Sequence, residues 1–284
     1  MKKKRITVIL FIVFFAGLSL VLYPSFSDYW NSFTQSKAIV NYTEIVADLD
    51  EDRYQEMWEA AAAYNQSLIG RANPYLLSDV QRSQYNELLN LTGTGVMAYV
   101  EIPAIGVSLP IYHGISDEVL KFAIGHLDWS SLPVGGAGTH CVVSGHRGLP
   151  SAKLFTDLDE IVEGDIFVLR VLDSILTYEV DRISIVEPTD TAQLLIEEGS
   201  DYCTLVTCTP YGINSHRLLI RGHRIENQAQ SRTVRVVSEA IQIDPMVVAP
   251  IVLIPILFVS IILLLLADKA DARQRGGESD EEEI

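Results

Sequence analysis

Apolar positions crowd the two ends of the chain. Residues 6–23 form a run of 18 without a charge, directly after Lys2, Lys3, Lys4 and Arg5. Residues 247–267 form a second run of 21, interrupted only by Pro250, Pro255 and Ser260. At about 1.5 Å per residue, either run as a helix reaches across a hydrocarbon core of about 30 Å. A cleaved signal peptide shares the basic-then-apolar pattern of the first run. The small-x-small triplet beyond it, Ser25-Phe26-Ser27, makes a poor cleavage site, so a retained anchor is expected. Basic residues precede the first run, and Lys269, Arg273 and Arg275 follow the second. Both termini are therefore expected in the cytoplasm, with the chain in the cell membrane and residues 24–246 outside it.

Between the two runs the period of the apolar positions changes once. Ile45, Leu49, Tyr54, Trp58, Ala61 and Tyr64 recur three to five residues apart with no Gly or Pro among them, which predicts a helix over 36–68. Arg71-Ala72-Asn73-Pro74-Tyr75 interrupts it, and a second short helix is expected over 78–91. Beyond Thr92-Gly93-Thr94-Gly95 the pattern becomes short, β-rich runs closed by Pro and Gly. Strands are expected over 98–102, 107–112, 139–144, 166–171, 176–186, 202–207 and 217–223. A helical turn or two fits 117–124, and a short helix fits 191–198. Many short strands at this spacing predict a mainly β domain, a barrel or a sandwich. The expected order is a cytoplasmic stub 1–5, a span 6–23, a helical region 24–96 and a β domain 97–226. A linker 227–246, a span 247–267 and an acidic tail 268–284 follow.

Composition narrows the function. Lys plus Arg number 21 against 37 Asp plus Glu, a net charge of -16, and no basic stripe interrupts the interior. That balance excludes a phosphate-binding face and hence nucleic acid as partner. Hydrophobic residues make up 48%, which excludes global disorder.

Three cysteines is an odd number for an exported domain. Cys208 ends the apolar run Thr204-Leu205-Val206-Thr207 and precedes Thr209-Pro210-Tyr211-Gly212, so it is expected at the rim of a sheet. His146 stands in a similar place, after 139–144 and between Gly145 and Gly148. A thiol nucleophile needs a proton partner near neutral pH, and a histidine serves. Arg217 opens the following strand, where a hairpin sets its fork of donors beside the sulfur. Arg221, four residues on, is the competing arginine. The same three residues also fit plain structural roles, Cys208 as a small buried hydrophobe above all. A metal set drawn from His140, Cys141, His146, Cys203 and Cys208 lacks the C-x-x-C spacing of structural zinc sites.

Two longer patterns carry a family resemblance. The stretch Thr204-Leu205-Val206-Thr207-Cys208-Thr209-Pro210-Tyr211-Gly212, continuing through Arg217 to Gly222, resembles the active-site signature of sortases. Ser144-Gly145-His146-Arg147-Gly148-Leu149-Pro150 resembles their histidine motif. Leu132-Pro133-Val134-Gly135-Gly136 and Ile102-Pro103-Ala104-Ile105 fit as well, so the similarity covers 98–225. Two spans and a helical N-terminal region resemble the pilus-building class C in particular.

The resemblance implies a mainly β fold, an eight-stranded sortase-type β-barrel with short helices, an N-terminal helical lid region and two transmembrane helices. It implies a Cys208–His146–Arg217 site with no cofactor and no metal. The substrate would be an LPXTG-bearing pilin or surface protein, cut between Thr and Gly. The acceptor would be an amine, a pilin lysine or a cell-wall precursor. The class C lid carries an Asp-Pro-aromatic motif, to which Asn73-Pro74-Tyr75 corresponds. Here an amide replaces the carboxylate, so Arg217 would meet only a neutral acceptor. A housekeeping sortase that anchors surface proteins, a non-catalytic pilin scaffold and a simple cysteine peptidase are the alternatives. The signature leaves Cys141 and Cys203 unexplained. Each lies five residues before a site residue, so side-by-side strands would make them cross-strand neighbours, bridged or merely packed.

Overall fold

The N-terminal helix α1, Lys2–Ala47, runs through 46 residues with Pro24 inside it. These coordinates come from a computed structural model that describes residues 2–227. The span expected over 247–267, the acidic tail and nearly all of the expected linker lie outside the described residues. Within them, α1 is the helix long and apolar enough to cross a membrane, with a mean hydropathy of 2.0 in its most apolar stretch. It does not stop where the apolar run stops. Nothing between residues 25 and 47 breaks it, since that stretch holds neither Gly nor Pro.

The helix expected over 36–68 is two helices. Asp50 caps the N-terminus of α2 (Glu51–Leu68), its carboxylate accepting from the Arg53 amide at 2.8 Å. Glu51 and Asp52 in the first turn favour the same start through the helix dipole. Helix α3 is Asp79–Glu87, shorter than expected, and opens with a reciprocal capping box between Ser78 and Gln81.

Eight strands follow: β1 Val96–Ile102, β2 Val107–His113, β3 Ile124–His126, β4 Thr139–Ser144, β5 Ile166–Val171, β6 Ser174–Val186, β7 Asp201–Thr209 and β8 His216–Ile225. They close into a barrel in the order β1-β2-β3-β4-β7-β8-β6-β5, with β5 returning to β1. Closure leaves no exposed sheet edge. Two pairings, β2 with β3 and β4 with β7, are parallel. Strand β3 was not expected, because three residues are too few to display alternation. The helix expected over 191–198 is only a 3-10 turn at Ala192–Leu194, and a single turn, α4 (Asp117–Leu120), precedes β3.

The wall made by β4, β7 and β8 is buried on both faces, which explains its nearly continuous apolar runs. Cys141, Val143, Cys203, Leu205, Leu218 and Ile220 point into the main core. Their alternating neighbours Val142, Val206 and Leu219 point outward into a second cluster with Leu127, Val186 and Leu194, against which Trp129 packs. The helices are stitched to the barrel by buried polar groups. Tyr42 donates to the Met97 carbonyl at 3.0 Å and accepts from the Leu172 amide at 2.7 Å. Asn65 pairs both ways with the Leu132 backbone, at 3.0 and 2.7 Å, as a strand would.

Candidate active site

Parallel pairing of β4 with β7 runs in register from Thr139↔Asp201 to Ser144↔Val206. The ladder carries on one step past β4, where the Gly145 amide donates to the Val206 carbonyl at 3.0 Å. The Thr207 hydroxyl also donates to the Gly145 carbonyl, at 2.9 Å. His146 lies two residues past Ser144 and Cys208 two past Val206, so both arrive at the same end of the wall. Antiparallel β8 then sets Arg217 directly opposite Cys208. Residues opposite each other in a ladder project to one face of the sheet. Cys208 follows the outward parity of Val206, and Arg217 that of Leu219. All three residues are half-buried.

Two contacts lock the loops that carry these side chains. Gly148 has φ +75°, and a Cβ there would sit 2.8 Å from the Tyr211 ring. The histidine loop and the β7–β8 turn touch at that point, and only glycine allows both the backbone and the approach. Arg147 supplies the second contact, which the sequence analysis missed. Its Nη1 donates to the Thr209 hydroxyl at 3.2 Å, while Nη2 forms an ion pair with Asp159. The residue after His146 is thereby bonded to the residue after Cys208. Its position inside the histidine motif was the available signal.

Arg217 donates through Nη1 to the carbonyls of Asn214 and His216, at 3.3 and 3.1 Å. Among the described residues its Nε and Nη2 make no hydrogen bond, so they are available to an incoming oxygen. Arg221 is committed elsewhere. It grips Asp181 through two nitrogens at 3.0 and 2.7 Å, approaches Glu197 at 3.5 Å, and lies 4.1 Å over the Tyr202 ring.

The tripeptide Asn73-Pro74-Tyr75 lies against the outer cluster of the same wall. Tyr75 meets Trp129 edge to face, with ring centroids 5.1 Å apart, and its hydroxyl accepts from Thr191 at 2.9 Å. Pro74 helps line a cleft of about 220 Å³ between Trp129 and Leu194–Ile196 of the β6–β7 loop. The Asn73 side-chain oxygen accepts from the Tyr75 amide at 3.2 Å, within its own turn, and the tripeptide makes no hydrogen bond to Arg217.

The remaining candidates do not converge on a metal. His140 is buried on the outer face, bonded to the Leu195 carbonyl at 2.9 Å and the Thr204 hydroxyl at 2.7 Å, and burial pushes its pKa down to about 4. Cys141 and Cys203 are register partners inside the barrel, as their equal offsets predicted, and both are free thiols. Burial pushes the Cys203 thiol well above its ordinary range, and the neighbouring Cys141 adds to that.

A thiol, an imidazole and a guanidinium at one half-buried rim can support acyl transfer through a thioester. The chain is similar to known proteins over this same stretch. The family model described as the Sortase domain matches residues 100–225. Sortase C1 from Streptococcus agalactiae is 46% identical and superposes with a TM-score of 0.66, covering 68% of this chain and 100% of that one. A sortase C of Streptococcus pneumoniae, described for its catalysis and pilin substrate specificity, is also 46% identical. Its TM-score is 0.62, over 68% of this chain and 98% of that one. Sortase D of Bacillus subtilis (strain 168) is 30% identical over 129 residues, 44% of this chain and 62% of that protein's length.

Proposed function

This chain belongs to the sortase family of cysteine transpeptidases, and from that premise we propose that it is a class C enzyme that polymerises pilins. Cys208, as thiolate, attacks the Thr carbonyl of an LPXTG-like sorting signal. The free donors of Arg217 bind the oxyanion of the tetrahedral intermediate. His146, as imidazolium, gives its proton to the Gly amine as the Thr–Gly bond breaks. A pilin lysine amine then attacks the thioester carbonyl, releases a proton to His146 and expels the Cys208 thiolate, leaving an isopeptide bond. Each proton and electron pair in these steps is accounted for by Cys208, His146, the sorting signal and the amine.

The observation that carries this reading is the rung between Cys208 and Arg217, with His146 at the same offset beyond β4. The class assignment draws on the sortase C neighbours and on the helical region before the barrel. In this reading Asn73-Pro74-Tyr75 is a lid over the outer face of the wall. Residues 6–23 and 247–267 anchor the enzyme, with both termini cytoplasmic and the barrel outside.

The test is to incubate the protein with an LPXTG peptide, with and without a candidate pilin, and to identify products by mass spectrometry. A peptide joined to a pilin lysine supports the reading. Free acid as the sole product indicates a cysteine peptidase instead. In a third incubation that adds a cell-wall precursor amine, transfer to that amine and not to the pilin indicates the housekeeping alternative.

A further inference from the structure

Helix α1 has two faces with different chemistry beyond its apolar run. Asp28, Asn31, Gln35 and Tyr42 recur three, four and seven residues apart, which puts them on one side. All four bond the barrel domain. Asp28 accepts from the Lys153 amide at 2.6 Å, Asn31 donates to the Ser151 carbonyl at 2.7 Å, and Gln35 donates to the Phe122 carbonyl at 2.5 Å. Tyr42 completes the series with its two backbone bonds.

At ~100° per residue, Phe26, Tyr29, Trp30 and Phe33 fall on the opposite side. They are 68%, 58%, 60% and 58% exposed, against 7% for Gln35 on the docked side. Lys37, also exposed, extends this stripe one turn further. Tyr29 and Trp30 match the belt that amphipathic rings form at a membrane interface, Phe26 and Phe33 add apolar area beside them, and a lysine follows, all in the helix that holds the apolar run.

Dimensions set the orientation. At about 1.5 Å per residue, Phe26 and Phe33 lie roughly 5 and 15 Å beyond Tyr23 along the axis. The interfacial layer is only about 5–8 Å thick on each side of the hydrocarbon core. An upright helix would therefore carry Phe33 out into water. Tilting toward the aromatic side brings all four rings into the layer, and it lifts the barrel because the barrel sits on the other side. Ser151 and Lys153, which the helix holds, follow His146 by five and seven residues.

We propose that Phe26, Tyr29, Trp30 and Phe33 form a bilayer-contact surface that lies in the lipid headgroup layer, tilts α1 and sets the histidine loop on the side of the helix that faces away from the bilayer. The proposal rests on the reading of residues 6–23 as an anchor. The full chain is reconstituted in vesicles of phosphatidylcholine and phosphatidylglycerol, in a Trp58→Phe, Trp129→Phe background that leaves Trp30 as the sole tryptophan. Lipids brominated at shallow or deep acyl positions and aqueous acrylamide serve as quenchers.

Trp30 is expected to lose most of its emission to shallow bromines, little to deep ones, and to resist acrylamide. Full acrylamide quenching with none from bromolipid would overturn the proposal. A companion variant, Trp30→Phe with Leu20→Trp in the same background, separates the two readings. Deep quenching at position 20 without shallow quenching at position 30 leaves the anchor standing and removes the surface. No lipid quenching at either position removes the anchor as well. Protection of Trp30 from every quencher, together with a doubled particle mass, would assign the stripe to a second copy and overturn the proposal. If the double phenylalanine background fails to fold, the difference in bromolipid quenching between the native chain and Trp30→Phe reads the same residue.

Discussion

Cys208 on β7 and Arg217 on β8 are direct cross-strand partners, at the last rung but one of an unbroken antiparallel ladder. Their spacing is fixed by strand geometry, about 5 Å between backbones, and not by a flexible loop. Each side chain therefore starts from a rigid element, which is what a preorganised oxyanion site requires. Arg217→Lys keeps the charge but loses the planar fork of donors. Thioacyl formation is expected to fall by roughly 10²-fold or more, the range seen when an oxyanion donor is removed. The melting temperature should stay near that of the native protein, because Arg217 is half-buried and, among the described residues, bonds only its own turn. Stopped-flow acylation paired with a thermal melt checks both.

The Arg147–Asp159 pair should matter to catalysis although neither residue is placed at the reacting atoms. Arg147 bonds Thr209 on one side and Asp159 on the other, and its side chain is only 10% exposed. Asp159→Asn leaves that guanidinium nearly buried without its counter-charge, at a cost of roughly 1–3 kcal/mol. The expected result is a lower melting temperature and a reduced kcat with little change in KM, since the loop carrying His146 loosens. An unchanged kcat at full stability would mean that the loop is held by other contacts.

The lid reading predicts a difference in thiol access. Tyr75→Ala removes both the edge-to-face contact with Trp129 and the bond from Thr191. Alkylation of Cys208 should then accelerate, and Tyr75→Phe, which loses only the hydroxyl, should give a smaller change. Equal rates for all three proteins would mean that the tripeptide does not cover the thiol. Asn73→Asp should leave the rate unchanged, because the side-chain oxygen at 73 serves its own turn. Slower alkylation in that variant would mean that a carboxylate there reaches Arg217.

Stability should fall on the acid side for an identifiable reason. Burial lowers the pKa of both His140, to about 4, and His113. Their unfolded values lie near 6.5, so below that pH the unfolded chain binds protons that the folded protein refuses. Stability is therefore complete above about pH 6.5 and is lost as pH falls toward 4. His140 alone accounts for about 2 kcal/mol at pH 5. Urea midpoints at pH 7.5 and pH 5 measure the loss, and His140→Gln should flatten the slope between them.

Much of this architecture was legible in the chain because its signals are periodic or rigidly spaced. The five-residue offsets from Cys141 to His146 and from Cys203 to Cys208 predicted the parallel register that β4 and β7 adopt. What they did not determine is the state of the sulfurs, since register sets a level but not the convergence of Cβ vectors that a bridge needs. Both thiols are free, so three titratable thiols are expected in the denatured, unreduced protein.

Other features were hidden for different reasons. Strand β3 owes its existence to neighbours on both sides and has no pattern of its own. The break before α2 was readable in Asp50, Glu51 and Asp52, but the apolar repeat ran across it and masked the cap. The role of Arg147 needed Thr209 and Asp159 to be brought together, which no spacing along the chain announces.

The account turns on Cys208 forming the thioacyl bond. Intact-mass and peptide-mapping spectrometry on the protein mixed with an LPXTG peptide reads that bond directly. The predicted result is an adduct of the acyl half of the peptide on Cys208, absent in Cys208→Ala and discharged when an amine acceptor is added. Cleavage of the peptide by Cys208→Ala, or turnover by the native protein with the adduct on another residue, would contradict it.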